Sequence, residues 1–417
     1  MKRITIAETA ADFAPEPLLR PFGFKGGSLT ELWQTNVRLA SAERAGVGLG
    51  VQSCLWSDAA VFAAHPEREA NEMMFAVTRR AAEIARGMEF ESPHGLLEAV
   101  YPEALAYARK ATGRGASLRQ TFVLNALVPF DFAAWTLYAH ENGFARYDDM
   151  LPDEFRAAQS ARHSRCASIP LVSYGVTMSE VRALADSGYF FLKIKIGHPG
   201  AQGDMLAQDC ARVAAIHEAV RDMETPWTDC AHPLYYLDAN GRYESKDALL
   251  RLVDHLDGIG ALERTAIIEE PFDETNELDV SDVPVRIAAD ESAHTVEDAE
   301  RRMDMGYGAM ALKPIAKTLS VSLAVAAAAK RRGVPCFCAD LTVSPPMVEW
   351  NKAVAARLDA FPGIRGIGLV ETNGEQNYVN WERMRLSLSR PDAAWTRARG
   401  GVFELDADYW DAAGALF

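Results

Sequence analysis

Residues 189–197 read YFFLKIKIG, a short apolar run that carries two lysines and ends at a glycine. Similar runs recur through the second half of the chain, and amphipathic stretches separate most of them. Strands that alternate with helices are typical of a parallel sheet covered by helices. In chain order the eight runs are IPLVSYG, YFFLKIKIG, LYYLDANG, TAIIEEPF, VRIAADES, AMALKPI, VPCFCADL and GIGLVET.

Eight such strands within residues 166–372 predict an α/β fold built on a (β/α)8 barrel of the TIM type. The connection after the fourth strand is short and polar, so we expect one modified βα unit with a small or missing helix. The first part of the chain differs, because glycine-broken alternating segments are followed there by long helical patterns. We therefore predict an α+β capping domain at residues 1–165, to which residues 373–417 return.

The composition limits the partners. The 417 residues include 43 Lys and Arg against 58 Asp and Glu, a formal net charge of -15. Such a chain repels phosphate backbones and anionic bilayers, so we expect no nucleic acid and no membrane as partner.

The longest run without Asp, Glu, Lys or Arg is 14 residues, Cys166 to Ser179, whereas a spanning helix needs about 20 apolar residues. We predict a soluble cytoplasmic protein that acts on a small molecule.

Acidic side chains stand at the carboxyl ends of three successive predicted strands, where barrel enzymes place their catalytic groups. Steps of 31 and 21 residues separate Asp238, Glu269 and Asp290, about one βα unit each. One such acid alone is more often a solvated loop residue or a helix cap. Three acids that meet at one barrel mouth repel each other unless a cation compensates them. Because oxygen-only ligands suit Mg²⁺, the pattern predicts one Mg²⁺ per site.

Lysines supply further charge at neighbouring strand ends. Lys193 and Lys195 lie two residues apart in one strand, so both side chains are expected to face the barrel interior. A neighbouring cation and partial burial lower the pKa of an amine, which makes Lys195 a candidate base near neutral pH. A KxK pattern alone more often marks an exposed edge strand, but the apolar neighbours argue against an edge. Lys313, four strands further on, lies nearly across the mouth of an eight-stranded ring.

In this order, the motifs LKIKIG, LDANG, IIEEP, ADES and LKP resemble the enolase superfamily, specifically its muconate lactonizing enzyme subgroup. The resemblance covers residues 166–372, and the preceding part is similar to the capping domain of that family. It implies a set of Mg²⁺ ligands, namely Asp238, Glu269 and Asp290. It also implies that Lys195 is the base on one face of the substrate, that Lys313 is the acid or base on the other, and that Lys193 tunes Lys195.

The chain departs from the family pattern at two strand ends. Lys317-Thr318-Leu319 stands where family members often have a glycine pair after strand six. Strand eight ends Glu371-Thr372-Asn373, where dipeptide epimerases often carry an acidic DxD that holds the ammonium group of the substrate. Mandelate racemase relatives use a histidine on strand seven, whereas this chain reads Cys-Phe-Cys-Ala-Asp there. The absence of that histidine, together with Lys313 on strand six, favours the subgroup with two lysines, and the incomplete DxD places a dipeptide substrate in question.

Candidates for substrate binding come from two places. The glycine-rich segment 21–27 of the capping part resembles a loop that closes over the substrate in this family. The strand ends supply polar groups beside the metal ligands. The candidates are Phe24 and Lys25 in the loop and Asn240, Asp340, Glu371 and Asn373 in the barrel.

The resemblance implies abstraction of the α-proton of a carboxylate substrate through a metal-stabilised enediolate. We favour a racemase or epimerase of an amino-acid or dipeptide-like acid, because two opposed lysines suit proton exchange at both faces. The alternative is a lyase or cycloisomerase on the same scaffold, by dehydration, as in o-succinylbenzoate synthase, or by lactone formation. A non-catalytic binding module and a Schiff-base aldolase explain the converging acids less well. Homo-oligomers are expected from the resemblance alone.

Overall fold

The computed structural model describes residues 1–24 and 27–411, without the side chain of Phe24. The N-terminal part combines short and long strands with a set of helices. Its strands are β1 Ile4–Thr5, β2 Glu8–Phe24, β3 Gly27–Ala40, β4 Ala45–Gln52 and β5 Glu89–Phe90. Its helices are α1 Cys54–Ser57, α2 Ala59–Ala64, α3 Glu67–Ala85, α4 Pro93–Ala111, α5 Gln120–Asn142, α6 Tyr147–Met150 and α7 Asp153–Arg156.

An antiparallel sheet in the order β2-β3-β4 packs against α5. Contact is close because β4 has glycines at the interface: a Cβ on Gly46 or Gly48 would come within 2.2 or 2.1 Å of the α5 backbone. By length and composition α5 could cross a membrane, but its most apolar 18-residue window is wholly buried in the fold. Its apolar character on all sides is therefore that of a core helix.

The second part alternates strands and helices. Its strands are β6 Arg165–Ile169, β7 Leu171–Val172, β8 Phe191–Lys195, β9 Leu234–Asp238, β10 Thr265–Glu269, β11 Ile287–Ala289, β12 Ala309–Leu312, β13 Cys336–Cys338 and β14 Gly368–Glu371. Its helices are α8 Met178–Asp186, α9 Gln202–Val220, α10 Lys246–Gly258, α11 Val296–Asp304, α12 Pro314–Lys317, α13 Leu319–Arg331 and α14 Pro345–Ala355.

These parallel strands form a barrel-like curled sheet. The first strand is interrupted at Pro170: β6 pairs with β14 on one side, and β7 continues the same strand and pairs with β8. The predicted strands one to eight are therefore β6/β7 and then β8 to β14 in order. Residues 270–286, which are all described, connect β10 to β11 without a helix. The predicted fold class, with one modified βα unit and an α+β cap, is confirmed.

The C-terminal segment contains α15 Gly374–Asn377, α16 Trp381–Arg385, β15 Val402–Glu404 and α17 Ala407–Asp411. It contacts both parts of the molecule. Near α15 and α16, Asn380 donates a hydrogen bond to Glu16 in β2 at 2.8 Å, whereas β15 pairs antiparallel with β6 at the barrel. The domain boundaries at residues 165/166 and 372/373 stay predictions.

Candidate active site

The alternation of side chains along β8 directs Lys193 into the barrel. Phe191, two residues earlier, belongs to the apolar cluster of the inner strand faces, together with Tyr236. Leu192 and Ile194 belong instead to the larger cluster that includes the surrounding helices. Successive residues of a strand point to opposite faces, so Lys193 shares the inner face with Phe191. The predicted orientation of this lysine agrees with its contacts.

Lys193 is a buried cation shared by three carboxylates from three different strands. Its Nζ lies 3.0 Å from Asp238 Oδ2, 3.4 Å from Glu269 Oε1 and 3.0 Å from Glu371 Oε2. Burial alone would lower the pKa of Lys193, but the charges of Asp238, Glu269 and Glu371 outweigh burial and raise it well above its ordinary value. Lys193 therefore stays protonated and supplies fixed positive charge at the barrel mouth.

Lys195 is held by two neighbours at the end of β9. Its Nζ donates to Asp238 Oδ2 and to Asn240 Oδ1, each at 2.6 Å. Asn240 adopts a positive φ of 45°, and its Nδ2 donates to Glu291 at 3.2 Å. Burial tends to raise the pKa of Asp238, but Lys193 and Lys195 hold it below its ordinary value. Asn240, a candidate for substrate binding, thus positions Lys195 here.

Lys313 follows β12 and pairs with Asp290. Its Nζ also lies 4.6 Å from the centroid of the Trp56 ring, which comes from α1 of the capping part. Burial would lower the pKa of Lys313, but the charges of Asp290 and Glu291 outweigh burial and raise it. Lys313 is therefore protonated in this arrangement and adds positive charge to this side of the barrel mouth.

Lys317 is a further buried cation at the same strand end. Its Nζ donates to the backbone carbonyls of Asp290 at 2.6 Å and Ala293 at 3.2 Å, and lies 3.1 Å from Asp290 Oδ1. The next residue, Thr318, has a φ of 73°, in the region that favours glycine. The turn after β12 thus contains a residue with a positive φ and places the charge of Lys317 beside Asp290.

Buried carboxyl groups at the mouth outnumber the ammonium groups. The carboxyl groups belong to Asp238, Glu269, Glu270, Asp290, Glu291, Asp340 and Glu371, and the ammonium groups to Lys193, Lys195, Lys313 and Lys317. Burial raises the pKa of Glu269 to about 7, with the charge of Asp290 adding to it and Lys193 opposing it. Burial and the charge of Glu291 raise the pKa of Glu270 to about 8. Further positive charge would therefore be stabilised here.

The donor set is suitable for a hard divalent cation. Asp238, Glu269 and Asp290 are fully buried and offer only oxygen atoms, and the two carboxylate oxygens of Asp290 contact the ammonium groups of Lys313 and Lys317. As the side chains stand, no group of three or more His, Cys, Asp or Glu in residues 1–24 and 27–411 is close enough to hold a metal ion. Lys193 lies between two of the acids instead. The predicted Mg²⁺ therefore fits the chemistry of the donors and would require their side chains to converge.

One cavity brings most of the predicted residues together, and two walls enclose it. The barrel wall consists of Leu171, Lys193, Lys195, Asp238, Asn240, Lys313, Asp340, Leu341, Thr342, Glu371 and Asn373. The capping wall consists of Leu18, Phe22, Leu29, Leu32, Ser53 and Trp56. Glu269 and Asp290 lie behind the barrel wall, in contact with Lys193 and Lys313. Lys25 and the side chain of Phe24 lie outside the described residues, although the β2–β3 hairpin that carries them contributes to the capping wall.

Hydrogen bonds join the residues at the ends of β13 and β14. Asp340 Oδ1 accepts from the backbone N–H groups of Leu341 and Val343, and its Oδ2 accepts from Asn373 N at 2.8 Å. Glu371 accepts from Lys193 and from the Asp340 backbone, and Asn373 Nδ2 donates to Glu371 Oε1 at 3.3 Å. Burial and the charge of Glu371 raise the pKa of Asp340 to about 7. Contact of Asp340, Glu371 and Asn373 with a substrate stays a prediction.

The apolar residues of the capping wall were not predicted from the sequence. Trp56 lies in a four-residue helix, too short for a helical pattern to identify its inner face. Leu29 and Leu32 are three residues apart in β3, so the period of two in a strand assigns them to opposite faces and does not group them. The position of these side chains at the cavity depends on how the hairpin lies over the barrel, and no local signal encodes that.

Comparisons with known proteins agree with this architecture. Residues 177–384 match a family model described as "Enolase C-terminal domain-like". A mandelate racemase/muconate lactonizing enzyme from Roseiflexus sp. is 17% identical, with 96% of this chain and 95% of that chain covered and a TM-score of 0.66. No curated protein matches the chain.

Two solved epimerases share the fold. The L-Ala-D/L-Glu epimerase from Bacillus subtilis, in a substrate-liganded complex, is 17% identical, with 88% and 89% of the chains covered and a TM-score of 0.61. The dipeptide epimerase from Enterococcus faecalis, complexed with Mg and L-Leu-L-Tyr, is 15% identical, with 88% and 90% covered and a TM-score of 0.61. The resemblance found in the motifs is thus confirmed, and the chain belongs to the enolase superfamily, in the mandelate racemase/muconate lactonizing enzyme subgroup.

Proposed function

We propose that this protein is an enzyme that abstracts the α-proton of a small carboxylate substrate, and that it is a racemase or epimerase. The observation that carries the proposal is the placement of two lysines in one cavity. Lys195 at the end of β8 and Lys313 after β12 both line it, and buried carboxylates adjoin each of them. Two amines at separate strand ends allow one to remove a proton and the other to return one at the opposite face.

The chain would hold Mg²⁺ through Asp238, Glu269 and Asp290, and the ion would supply positive charge beside the carboxylate of the substrate. Lys193 adds a permanent positive charge next to it. Lys195 must lose a proton before it can act as a base. Once it is neutral, Asn240 Oδ1 can still accept a hydrogen bond from it and hold it in place. The capping wall excludes water from the reacting carbon.

The structure also favours a second candidate, a lyase or cycloisomerase. The pKa of Lys313 is raised, and its ammonium lies between Asp290 and the Trp56 ring. A lysine that stays protonated serves as an electrostatic partner as well as it serves as a proton donor. In that case Lys195 alone would exchange the proton, and a leaving group or a ring closure would decide the product.

Exchange in deuterated water tests the proposal. The protein would be incubated with Mg²⁺ and a panel of dipeptides, N-acyl amino acids and hydroxy acids. A one-mass-unit gain with loss of stereochemical purity supports racemisation or epimerisation. Loss of water or ring formation supports the second candidate. Absence of exchange, of water loss and of ring formation with every member would contradict both. Cytoplasmic location and homo-oligomer formation stay predictions.

A further inference from the structure

A tyrosine lies inside the barrel, one layer below the predicted metal ligands. Tyr236 is in β9, two residues before Asp238, and both side chains are fully buried. The pairing of β9 with β10 places Asp238 opposite Glu269, whereas Tyr236 lies opposite Ile267, one layer deeper. Because residues two apart in a strand point to the same face, Tyr236 faces the barrel interior beneath the carboxylates.

The hydroxyl group of Tyr236 contacts one of these carboxylates directly. It donates a hydrogen bond to Glu269 Oε2. The other oxygen, Oε1, accepts from Lys193 Nζ at 3.4 Å. Glu269 is thus held at both oxygens, by a neutral donor at one and by a cation at the other. Rotation of its carboxylate would break both contacts.

The position of the Tyr236 ring is fixed by its neighbours. The ring centroid lies 5.2 Å from that of Phe337 and 6.3 Å from that of Phe191, and Lys193 Nζ lies 4.6 Å from it. Close packing of this kind leaves little room for the ring to move. The surrounding cluster is apolar, so phenylalanine would satisfy its packing. The hydroxyl group is the part of Tyr236 that serves Glu269.

We propose that Tyr236 is a positioning residue of the metal site. Its hydroxyl group keeps Oε2 of Glu269 turned into the barrel, so that Oε1 is the oxygen offered to a cation at the mouth. Lys193, which contacts Oε1, lines the cavity, so this oxygen lies on the cavity side. The inference rests on the proposed function, because it takes Mg²⁺ to bind Glu269 together with Asp238 and Asp290.

Tyr236→Phe tests the proposal, because it removes only the hydroxyl group and keeps the ring beside Lys193. Titration calorimetry of the full-length, metal-free protein with magnesium chloride measures the effect without a substrate. Loss of a group that orients a metal ligand weakens binding by roughly ten- to hundredfold. We expect a loss of that size in the Mg²⁺ affinity of Tyr236→Phe.

Tyr235→Phe is the matched control. Tyr235 is the preceding residue of the same strand and is also fully buried. Its hydroxyl group lies 2.9 Å from His217 Nδ1 in α9, on the opposite face of the sheet. Both variants lose one buried hydroxyl contact, so both should unfold at similar denaturant concentrations. Tyr235→Phe should nevertheless keep the Mg²⁺ affinity of the wild type.

Three results would contradict the proposal in distinguishable ways. If Tyr236→Phe binds Mg²⁺ as tightly as the wild type, the positioning role is rejected and the proposed function is unaffected. If both tyrosine variants lose affinity equally, the effect is a general loss of stability, and the positioning role is again rejected. A wild type that binds no Mg²⁺ would instead reject the metal site itself, and with it both the proposed function and this inference.

Discussion

The two walls of the cavity are built in different ways. On the barrel wall, charged side chains from separate strands contact one another, as Lys193 contacts carboxylates from three strands. On the capping wall, apolar side chains from the β2–β3 hairpin and from α1 face the same space. The barrel wall is suited to chemistry at a carboxylate, and the capping wall is suited to selecting what is attached to it. Substitutions in the two walls should therefore have separable effects.

The largest effect is expected from Lys195→Met on the barrel wall. Methionine keeps the length of the side chain but cannot accept a proton, so deuterium incorporation should fall by on the order of 10⁴-fold. Mass spectrometry of the recovered substrate measures it. Lys246→Met is the control, because Lys246 pairs with Asp282 at the surface, away from the cavity. Exchange at the wild-type rate in Lys195→Met would reject this lysine as the base.

Lys193→Met should destabilise the fold, because it leaves the charges of Asp238, Glu269 and Glu371 without their shared cation. Removal of one partner from a buried ion pair costs about 3–5 kcal/mol, and denaturant unfolding measures it. Lys330→Met removes an exposed pair with Asp359 and should cost about 1 kcal/mol or less. Equal stability of the two variants would show that the barrel mouth does not depend on Lys193.

Leu32→Ala tests the capping wall. Loss of apolar contact with the substrate should raise KM by roughly tenfold and leave kcat nearly unchanged. Leu39, in the same strand β3 but outside the cavity, is the control, because it is also buried. Leu39→Ala should lower stability and leave KM as it is. A fall in kcat alone in Leu32→Ala would contradict the separation of the two walls.

The smallest effect concerns the contact between α5 of the capping part and α13 of the barrel. Asp131 in α5 accepts from the backbone and the hydroxyl of Ser320 at 3.0 and 2.6 Å. Burial raises the pKa of Asp131 from 3.8 to about 7. Over this pH range Asp131 is therefore still protonated in the folded chain after it has lost its proton in the unfolded chain. The resulting stabilisation of the folded state is complete below about pH 4 and is lost as the pH rises through 7. Asp131→Asn should flatten the decline of stability over this range, as measured by unfolding at several pH values. An unchanged pH profile would contradict the raised pKa.

The sequence predicted the barrel wall well, because residues at strand ends follow the repeating βα unit. Lys193, Lys195 and Asp238 could be placed at one mouth from their spacing alone. No strand was predicted for residues 8–24, although β2 spans them and includes Pro15, Pro17 and Pro21. It is an edge strand of the sheet, where proline is tolerated.

The capping wall could not be predicted for a different reason. Trp56 reaches Lys313 only because α1 lies over the end of β12, and that contact joins residues far apart in the chain. The sequence did show Lys317 as a departure from the family pattern, but its contact with Asp290 depends on the turn after β12. Local patterns thus place the charged residues of the barrel wall, whereas the packing of the cap decides which apolar residues face them.

Titration of the protein with Mg²⁺ shows whether the three strand-end carboxylates Asp238, Glu269 and Asp290 hold one ion. Calorimetry should show one Mg²⁺ per chain, and Asp290→Asn should weaken its binding by at least roughly tenfold. Glu349→Gln, which alters a buried acid paired with Lys352 in α14 at 2.8 Å, should leave the affinity unchanged. A wild type that binds no Mg²⁺, or an Asp290→Asn variant that binds it equally well, would contradict the account.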